Sequence, residues 1–199
     1  MDSHPEDDNP SVPEGALLHR FIADGNDEKL MESIGRKVCL EIPSTFGLTP
    51  LQTACFKRKQ RMVDILLESG ALVNAKSLFT GKTAAHIAAF VGDVTVLEIL
   101  TNYGAQVTDT DHIGNNILHE AVLGGHVKMI AHIMKVAPRL ALGANRALRT
   151  PIHQAAFNNS SLEVVELVCA KGLDYRKLQD ANGRTSHDLA NLHSTTKWI

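Results

Sequence analysis

The sequence predicts an all-α solenoid of about five helix–turn–helix units, followed by a partial unit that caps the C-terminal end. Three observations lead to this prediction: a period of 33 to 34 residues, apolar columns at helical spacing within each period, and turn or capping residues at matching places. Neither helix of such a unit can bury its apolar face alone, whereas stacked neighbours bury one continuous core.

The period is clearest in a polar column that marks the start of each unit. Its members are Gln52, His86, His119 and His153, with fainter matches at His19 and His187, and the steps between them are 33, 34, 33, 34 and 34 residues. Three residues before the four clear members stand good helix N-caps: Thr49, Thr83, Asn116 and Thr150. Thr185 continues this column two residues before His187. The first helix of each unit is therefore predicted to begin after the N-cap, and Pro50 and Pro151 fit its first position.

Further columns predict the packing and the helix ends. A column of small residues lets the first helices approach closely: Ala54, Ala88, Ala121 and Ala155. Two apolar columns three residues apart form one face of the second helix: Val63, Leu97, Ile130 and Val165, then Leu66, Leu100, Ile133 and Val168. Four residues later, where a helix end favours a left-handed residue, stand Gly70, Gly104, Ala137 and Gly172.

These signals divide the chain into units of residues 15–44, 45–77, 78–110, 111–145, 146–178 and 179–193. Residues 1–14 are acidic and proline-rich and are predicted to be disordered, and residues 194–199 form a tail. The first and last units depart from the pattern, as terminal caps do. The 111–145 unit ends in VAPRLALGAN, which predicts a differently shaped loop.

Several motifs resemble those of ankyrin repeats, and the resemblance covers about Glu14 to Asn191. They are TPLQTA, TPIHQA, the turns DHIGN and DANGR, and LLESGALVNA. The resemblance implies a non-catalytic adaptor, scaffold or inhibitor that binds a partner protein along a concave groove made by the first helices and the hairpin tips. An IκB-like inhibitor of a transcription factor is an alternative. Arg58 and Asn159 stand where the family prefers glycine, so strained turns are expected there.

One variable column of the repeats predicts the binding surface. Four residues after the polar column stand Phe56, Phe90, Leu123 and Phe157, which we call the apolar ladder. The resemblance implies that this position faces the groove, where an exposed apolar patch would bind a partner. The alternative is that these side chains pack against the neighbouring unit as part of the core.

The stretch CFKRKQR predicts a cationic corner next to the ladder, made of Lys57, Arg58, Lys59 and Arg61. It lies at the end of one helix and the start of the next. A docking patch for an acidic partner segment, a solvated corner and a nuclear-import signal all remain open. The chain has 20 Lys and Arg against 22 Asp and Glu, which disfavours nucleic acid as a partner.

The hairpin tips and one loop supply further candidates. Contact residues predicted at or beside the tips are Phe79, His112, Ile113 and Arg149. Asn74 occupies the loop position that an oxygen-dependent hydroxylase modifies in some ankyrin proteins. Its more ordinary role is that of a hydrogen-bonding turn residue.

Catalytic, cofactor, metal and small-molecule sites are not predicted. LFTGKT lacks a glycine that a phosphate-binding loop needs, and the column histidines are one unit apart, too far to share a metal ion. Cys39, Cys55 and Cys169 form no CxxC pair. A catalytic or metal-dependent protein with a site hidden among the histidines is retained as an alternative of a different class, as is a structural spacer without a groove ligand.

The sequence also bears on location. The acidic N-terminus resembles neither a signal peptide nor a transit peptide, and no apolar run approaches the ~20 residues that span a bilayer. Three dispersed cysteines favour a reducing compartment. We therefore expect a cytoplasmic or nuclear protein, or one present in both, without a membrane partner.

Overall fold

The computed structural model describes residues 14–158, 160–169 and 177–191, and in this part of the chain the regular elements are all helices. They are α1 (Glu14–Asp24), α2 (Asp27–Gly35), α3 (Pro50–Phe56), α4 (Gln60–Glu68), α5 (Ala84–Val91), α6 (Val94–Asn102), α7 (Ile117–Gly124), α8 (Val127–Val136), a 3-10 helix (Pro138–Leu142), α9 (Pro151–Phe157), α10 (Leu162–Val168) and α11 (Ser186–Asn191). The predicted all-α repeat solenoid is confirmed. Most of segment 1–14 and the whole of tail 194–199 lie outside the described residues, although Glu14 already belongs to α1.

The helices form two layers. The first helices of the units, α1, α3, α5, α7, α9 and α11, pack each against the next, and the second helices α4, α6, α8 and α10 pack in the same order behind them. The four column alanines are fully buried between the first helices, which lets these helices approach closely. A single apolar core runs from Leu18 to Val168 through both layers. None of the described helices is both long and apolar enough to traverse a bilayer.

Short hairpins, here called fingers, precede the first helices at residues 44–48, 77–82, 111–115, 145–149 and 180–184. One backbone hydrogen bond joins each finger to the next: Leu78 N–H donates to the Gly47 carbonyl at 2.8 Å, His112 to Thr80 at 2.8 Å, Arg146 to Ile113 at 2.9 Å and Ala181 to Ala147 at 2.9 Å. The fingers therefore form a continuous edge beside the first-helix layer.

The left-handed conformation predicted at one helix end is wrong, although α8 does end at the predicted place. Gly70 and Gly104 adopt left-handed φ angles of 90° and 86° as predicted, and Gly172 lies outside the described residues. Ala137 has φ −142° and ψ 60°. Pro138 follows it, and a residue before proline is pushed towards extended conformations. The chain then turns into the 3-10 helix, which confirms the different loop shape expected for this unit.

Arg58 is left-handed with φ 55°, as its place between two helices predicted, while Asn159 is outside the described residues. The sequence did not predict two further left-handed non-glycine residues, Lys37 just after α2 and Leu148 in a finger. Leu148 occupies the finger-tip position where the other four fingers carry a left-handed glycine, yet its φ is 54°.

Replacing Leu148 by glycine is expected to stabilise the protein. An L-residue in the left-handed region costs about 1 kcal/mol, and the Leu148 side chain is 56% exposed, so little packing is lost. We expect Leu148→Gly to raise the free energy of unfolding by about 0.5 kcal/mol after the greater freedom of glycine in the unfolded chain is deducted. Urea unfolding followed by circular dichroism measures this.

Leu142→Gly is the matched control, because this exposed leucine lies in the 3-10 helix. It should lose about 0.5–1 kcal/mol. Equal losses in both variants would show that the Leu148 tip carries no strain.

Candidate functional site

The column histidines link each unit to the next. In His86, Nδ1 accepts the Thr83 N–H at 3.3 Å, and Nε2 lies 3.1 Å from the Asn115 carbonyl. A carbonyl oxygen only accepts, so Nε2 carries the proton. His153 Nε2 reaches the Leu178 carbonyl in the same way at 3.1 Å, and His119 Nε2 the Arg149 carbonyl at 2.9 Å. These hydrogen bonds give the column histidines a structural role.

Gln52 performs the same task with different atoms. Its Oε1 accepts the Thr49 N–H at 3.0 Å, and its Nε2 donates to the Lys82 carbonyl at 2.9 Å. A residue in this column therefore needs an acceptor atom for the N–H of its own N-cap residue and a donor for a backbone carbonyl at the base of the next finger. The fingers are consequently held in fixed positions relative to the first helices.

Burial lowers the pKa of His86, His119 and His153, so these imidazoles are neutral near pH 7. Across the described ranges, no group of three His, Cys, Asp or Glu side chains is placed to hold a metal ion. Burial also raises the pKa of the Cys55 thiol well above its ordinary value, which keeps the thiol protonated and unreactive.

The apolar ladder lies at the surface of the first-helix layer. Phe56 is 47% exposed, Leu123 44% and Phe157 43%, while Phe90 is half-buried. The neighbouring column alanines are buried completely. The structure therefore places these side chains outside the fully buried core, and their role in binding stays a prediction.

Two ladder rings each lie under a cation contributed by their own unit. Lys82 Nζ is 5.8 Å from the centroid of the Phe90 ring, and Arg149 Cζ is 5.3 Å from that of Phe157. Both cations stand one residue before the N-cap of the helix that carries the ring. Positive charge and aromatic surface thus alternate along the groove, an arrangement that favours cation–π contacts.

The same cations hold acidic side chains that sequence reasoning missed. Lys82 Nζ lies 2.7 Å from Glu120 Oε2, and the Glu120 side chain is only 1% exposed. Arg149 Nε lies 3.5 Å from Asp180 Oδ2, which also accepts from Arg184 at 2.8 Å. For Glu120 the sequence did contain a signal, because it directly follows the column residue His119. At the same place Thr53, Ile87 and Gln154 are uncharged, and an acidic residue recurs only at Asp188.

The cationic corner divides in the structure. Arg61 pairs with Asp27 at 2.8 Å, and the Arg58 guanidinium donates to the Val91 carbonyl of the next unit. The Lys59 ammonium lies beside Gly25, 3.1 Å from where a Cβ would stand. Three of the four cations therefore contact other units of this chain, whereas Lys57 is exposed at the end of the groove.

The tip residues and Asn74 also have defined places. Phe79 and Ile113 are exposed as predicted, and the rings of Phe79 and His112 pack against the tip glycines Gly47 and Gly81. Asn74 joins its loop to the next unit. Its Nδ2 donates to the Gly104 carbonyl at 3.1 Å, and its Oδ1 accepts the Gln106 N–H at 2.8 Å. These bonds agree with the turn-residue role, and modification of Asn74 remains untested.

Sequence comparison with known proteins identifies the repeats. Residues 16–111 match the family model for ankyrin repeats (3 copies). The chain is 28% identical over 134 residues to a protein of Fowlpox virus (strain NVSL) named for its ankyrin repeats, FPV031, an alignment that covers 65% of this chain and 39% of the relative. It is 35% identical over 123 residues to the E3 ubiquitin-protein ligase XBAT33 of Arabidopsis thaliana, covering 60% of this chain and 24% of the relative.

A further relative is by name an enzyme. The phosphocholine transferase AnkX of Legionella pneumophila is 25% identical over 184 residues, covering 85% of this chain and 19% of AnkX. This chain thus spans well under half the length of each of these three relatives. The family model thus shows ankyrin repeats at residues 16–111, and the stacked helix pairs and their fingers continue the same architecture as far as α11.

Proposed function

We propose that this protein is a non-catalytic adaptor or inhibitor that binds a partner protein along its groove, the surface formed by the apolar ladder and the finger residues beside it. Ankyrin repeats are protein-interaction modules. The observation that supports the proposal most strongly is that three units each expose one large apolar side chain of the first helix. The exposed fraction of these side chains is 43–47%, although most other side chains of the first helices are buried.

The composition of the groove fits a protein interface. Interfaces are enriched in aromatic residues and arginine, and a few such anchors provide most of the binding energy. Here Phe90 lies under Lys82 and Phe157 under Arg149, one pair in each of two units. An extended partner segment would contact one residue of the apolar ladder in each unit.

The state of the histidines supports a non-catalytic function. The imidazoles of His86 and His153 use both ring nitrogens in hydrogen bonds, one to the N-cap of their own helix and one to a backbone carbonyl further along the chain. A general base needs a nitrogen that is free to take a proton. The similarity to AnkX does not imply the same activity in this chain, because the alignment covers only 19% of that enzyme.

We further place the protein in the cytoplasm, the nucleus or both. Cys39 and Cys55 are free thiols, and Cys55 is fully buried. This usage is typical of proteins in reducing compartments.

The double variant Leu123→Asp/Phe157→Asp tests the proposal by affinity capture from a lysate of the source organism with quantitative mass spectrometry. Met31→Asp/Val136→Asp is the control, because it adds the same charge at exposed positions of the second-helix layer. Circular dichroism and urea unfolding first establish that both variants are folded.

We expect proteins captured by the wild type and by the control to be depleted about tenfold or more on the ladder variant, the loss that ~1.4 kcal/mol of binding free energy produces. Identical capture by all three proteins would contradict binding at the ladder.

A further inference from the structure

We propose that the groove ends in a pocket that receives a large apolar side chain of the partner with a carboxylate close to it in sequence. The partner segment would accordingly be an extended peptide that combines a bulky apolar residue with Asp or Glu. This inference rests on the proposed function, since it names the kind of segment that the groove binds.

The pocket, here called the N-terminal pocket, lies between α1, the first finger and the end of α3, and its volume is about 790 Å³. That volume is in the range of ~300–1,000 Å³ typical of ligand sites. Its apolar walls come from Ala16 and Ala23 of α1, Phe46 and Leu48 of the finger, and Phe56, the first rung of the ladder. Phe46 is 81% exposed, which leaves an aromatic ring available to an incoming side chain.

Hydrogen bonds hold the walls in place. His19, on α1, has Nε2 at 2.8 Å from the carbonyl of Ile42, two residues before the first finger, and Nδ1 at 2.9 Å from the Thr53 hydroxyl on α3. One side chain therefore ties together the three segments that enclose the pocket. A site whose walls are already fixed costs less entropy to occupy than one that must be ordered on binding.

The charge of the pocket has one sign. Arg20 and Lys57 line it, and among the described residues that form its walls none is Asp or Glu. Arg20 already contacts Asp24 at 3.8 Å in a solvent-exposed pair. Lys57 is the one residue of the cationic corner that reaches this pocket. A carboxylate on the occupant complements the positive charge of Lys57, which is exposed.

The position of the pocket favours a peptide over other occupants. Phe56 belongs to both the pocket and the ladder, so a chain seated in the pocket can continue toward Phe90 in the next unit. A nucleic acid would need cations along its whole path. The groove instead carries the buried acids Glu120 and Asp180 further along.

The test uses a random library of 12-residue peptides displayed on phage, selected against the full 199-residue chain. Selected peptides are synthesised, and their affinity is measured by fluorescence anisotropy for the wild type and for two pocket variants, Lys57→Glu and Phe46→Ser. Lys128→Glu and Met31→Ser are matched controls, because both residues are exposed on the second helices α8 and α2.

We expect the selected peptides to carry Trp, Phe, Leu or Ile within two residues of Asp or Glu. Each pocket variant should weaken their binding about tenfold, which corresponds to ~1.4 kcal/mol, and each control should change it less than twofold. A peptide in which Lys replaces the acidic residue should bind Lys57→Glu better than it binds the wild type.

Selected peptides without acidic residues, peptides that bind both pocket variants as tightly as the wild type, or failure to enrich any peptide would overturn the inference. Peptides that lose affinity for Leu123→Asp/Phe157→Asp alone would leave the proposed function standing without the pocket. A synthetic peptide of residues 1–13 that displaces the selected peptides from the pocket would assign it to this chain's own acidic segment, against the partner proposed here.

Discussion

Replacing His86 by alanine is expected to lower the free energy of unfolding by about 3 kcal/mol, because two buried polar groups each lose a partner at a cost of ~1–3 kcal/mol. These groups are the N–H and the hydroxyl of Thr83, whereas the Asn115 carbonyl keeps its hydrogen bond from the Asp111 N–H. The loss falls between two central units, and the stability of a repeat array depends on such interfaces. Urea unfolding followed by circular dichroism gives the value.

His86→Gln is the matched control, because glutamine occurs naturally at this column position in another unit. Gln52 occupies the same column and makes equivalent bonds to its N-cap, Thr49, and to the next finger. The glutamine variant should therefore lose less than about 1 kcal/mol, the net value of a typical hydrogen bond. If glutamine and alanine were equally destabilising, the hydrogen bonds would not be the reason that this column is polar.

The buried histidines should also make the free energy of unfolding depend on pH. Burial lowers their pKa in the folded state, so the unfolded chain binds protons first as the pH falls below about 6.5. Their contribution is complete above that pH, and stability then decreases by up to about 1.4 kcal/mol per pH unit for each histidine that stays neutral. His86→Gln should show a shallower decrease between pH 7 and pH 5 than the wild type.

Replacing Lys82 by methionine is expected to cost about 3 kcal/mol, the lower end of what the loss of one partner in a buried ion pair typically costs. The variant leaves the Glu120 carboxylate, 1% exposed, without its cation. The double variant Lys82→Met/Glu120→Met should return to within about 1 kcal/mol of the wild type, because apolar residues of similar volume often replace a buried pair without loss. Urea unfolding of the three proteins measures both effects.

The exposed pair Arg36 and Glu32 is the control for burial. Its N–O distance is also 2.7 Å, but both side chains are more than half exposed. Arg36→Met should cost at most about 0.5 kcal/mol. A similar cost for Lys82→Met would mean that the groove pair is solvated in solution, and a double variant no more stable than Lys82→Met would contradict the unpaired-charge explanation.

The sequence predicted what recurs in every unit. A repeat array has contacts only between neighbours, so the spacing of the N-caps, column histidines and alanines encodes both the helices and their stacking. The first helices α3 and α9 begin at Pro50 and Pro151, as predicted. The left-handed conformation predicted for Ala137 was wrong, because the column marks the end of α8 correctly but the following proline determines the backbone conformation of Ala137.

The features that do not recur could not be read from the period. The pair of Lys82 and Glu120 joins residues 38 apart through flexible side chains, whose direction the backbone pattern does not fix. The cationic corner was placed correctly, but its division between internal pairs and Lys57 depends on Asp27 and Val91 in other units. The N-terminal pocket likewise requires three segments to meet around His19.

Calorimetric titration of a purified partner, obtained by the capture described above, decides whether the groove is the binding surface. We expect the wild type and Met31→Asp/Val136→Asp to bind with the same Kd and Leu123→Asp/Phe157→Asp to bind at least about tenfold more weakly, the equivalent of ~1.4 kcal/mol. Equal Kd values for the wild type and the ladder variant, with the control variant weakened instead, would place the partner on the second-helix layer and contradict the groove as the binding surface.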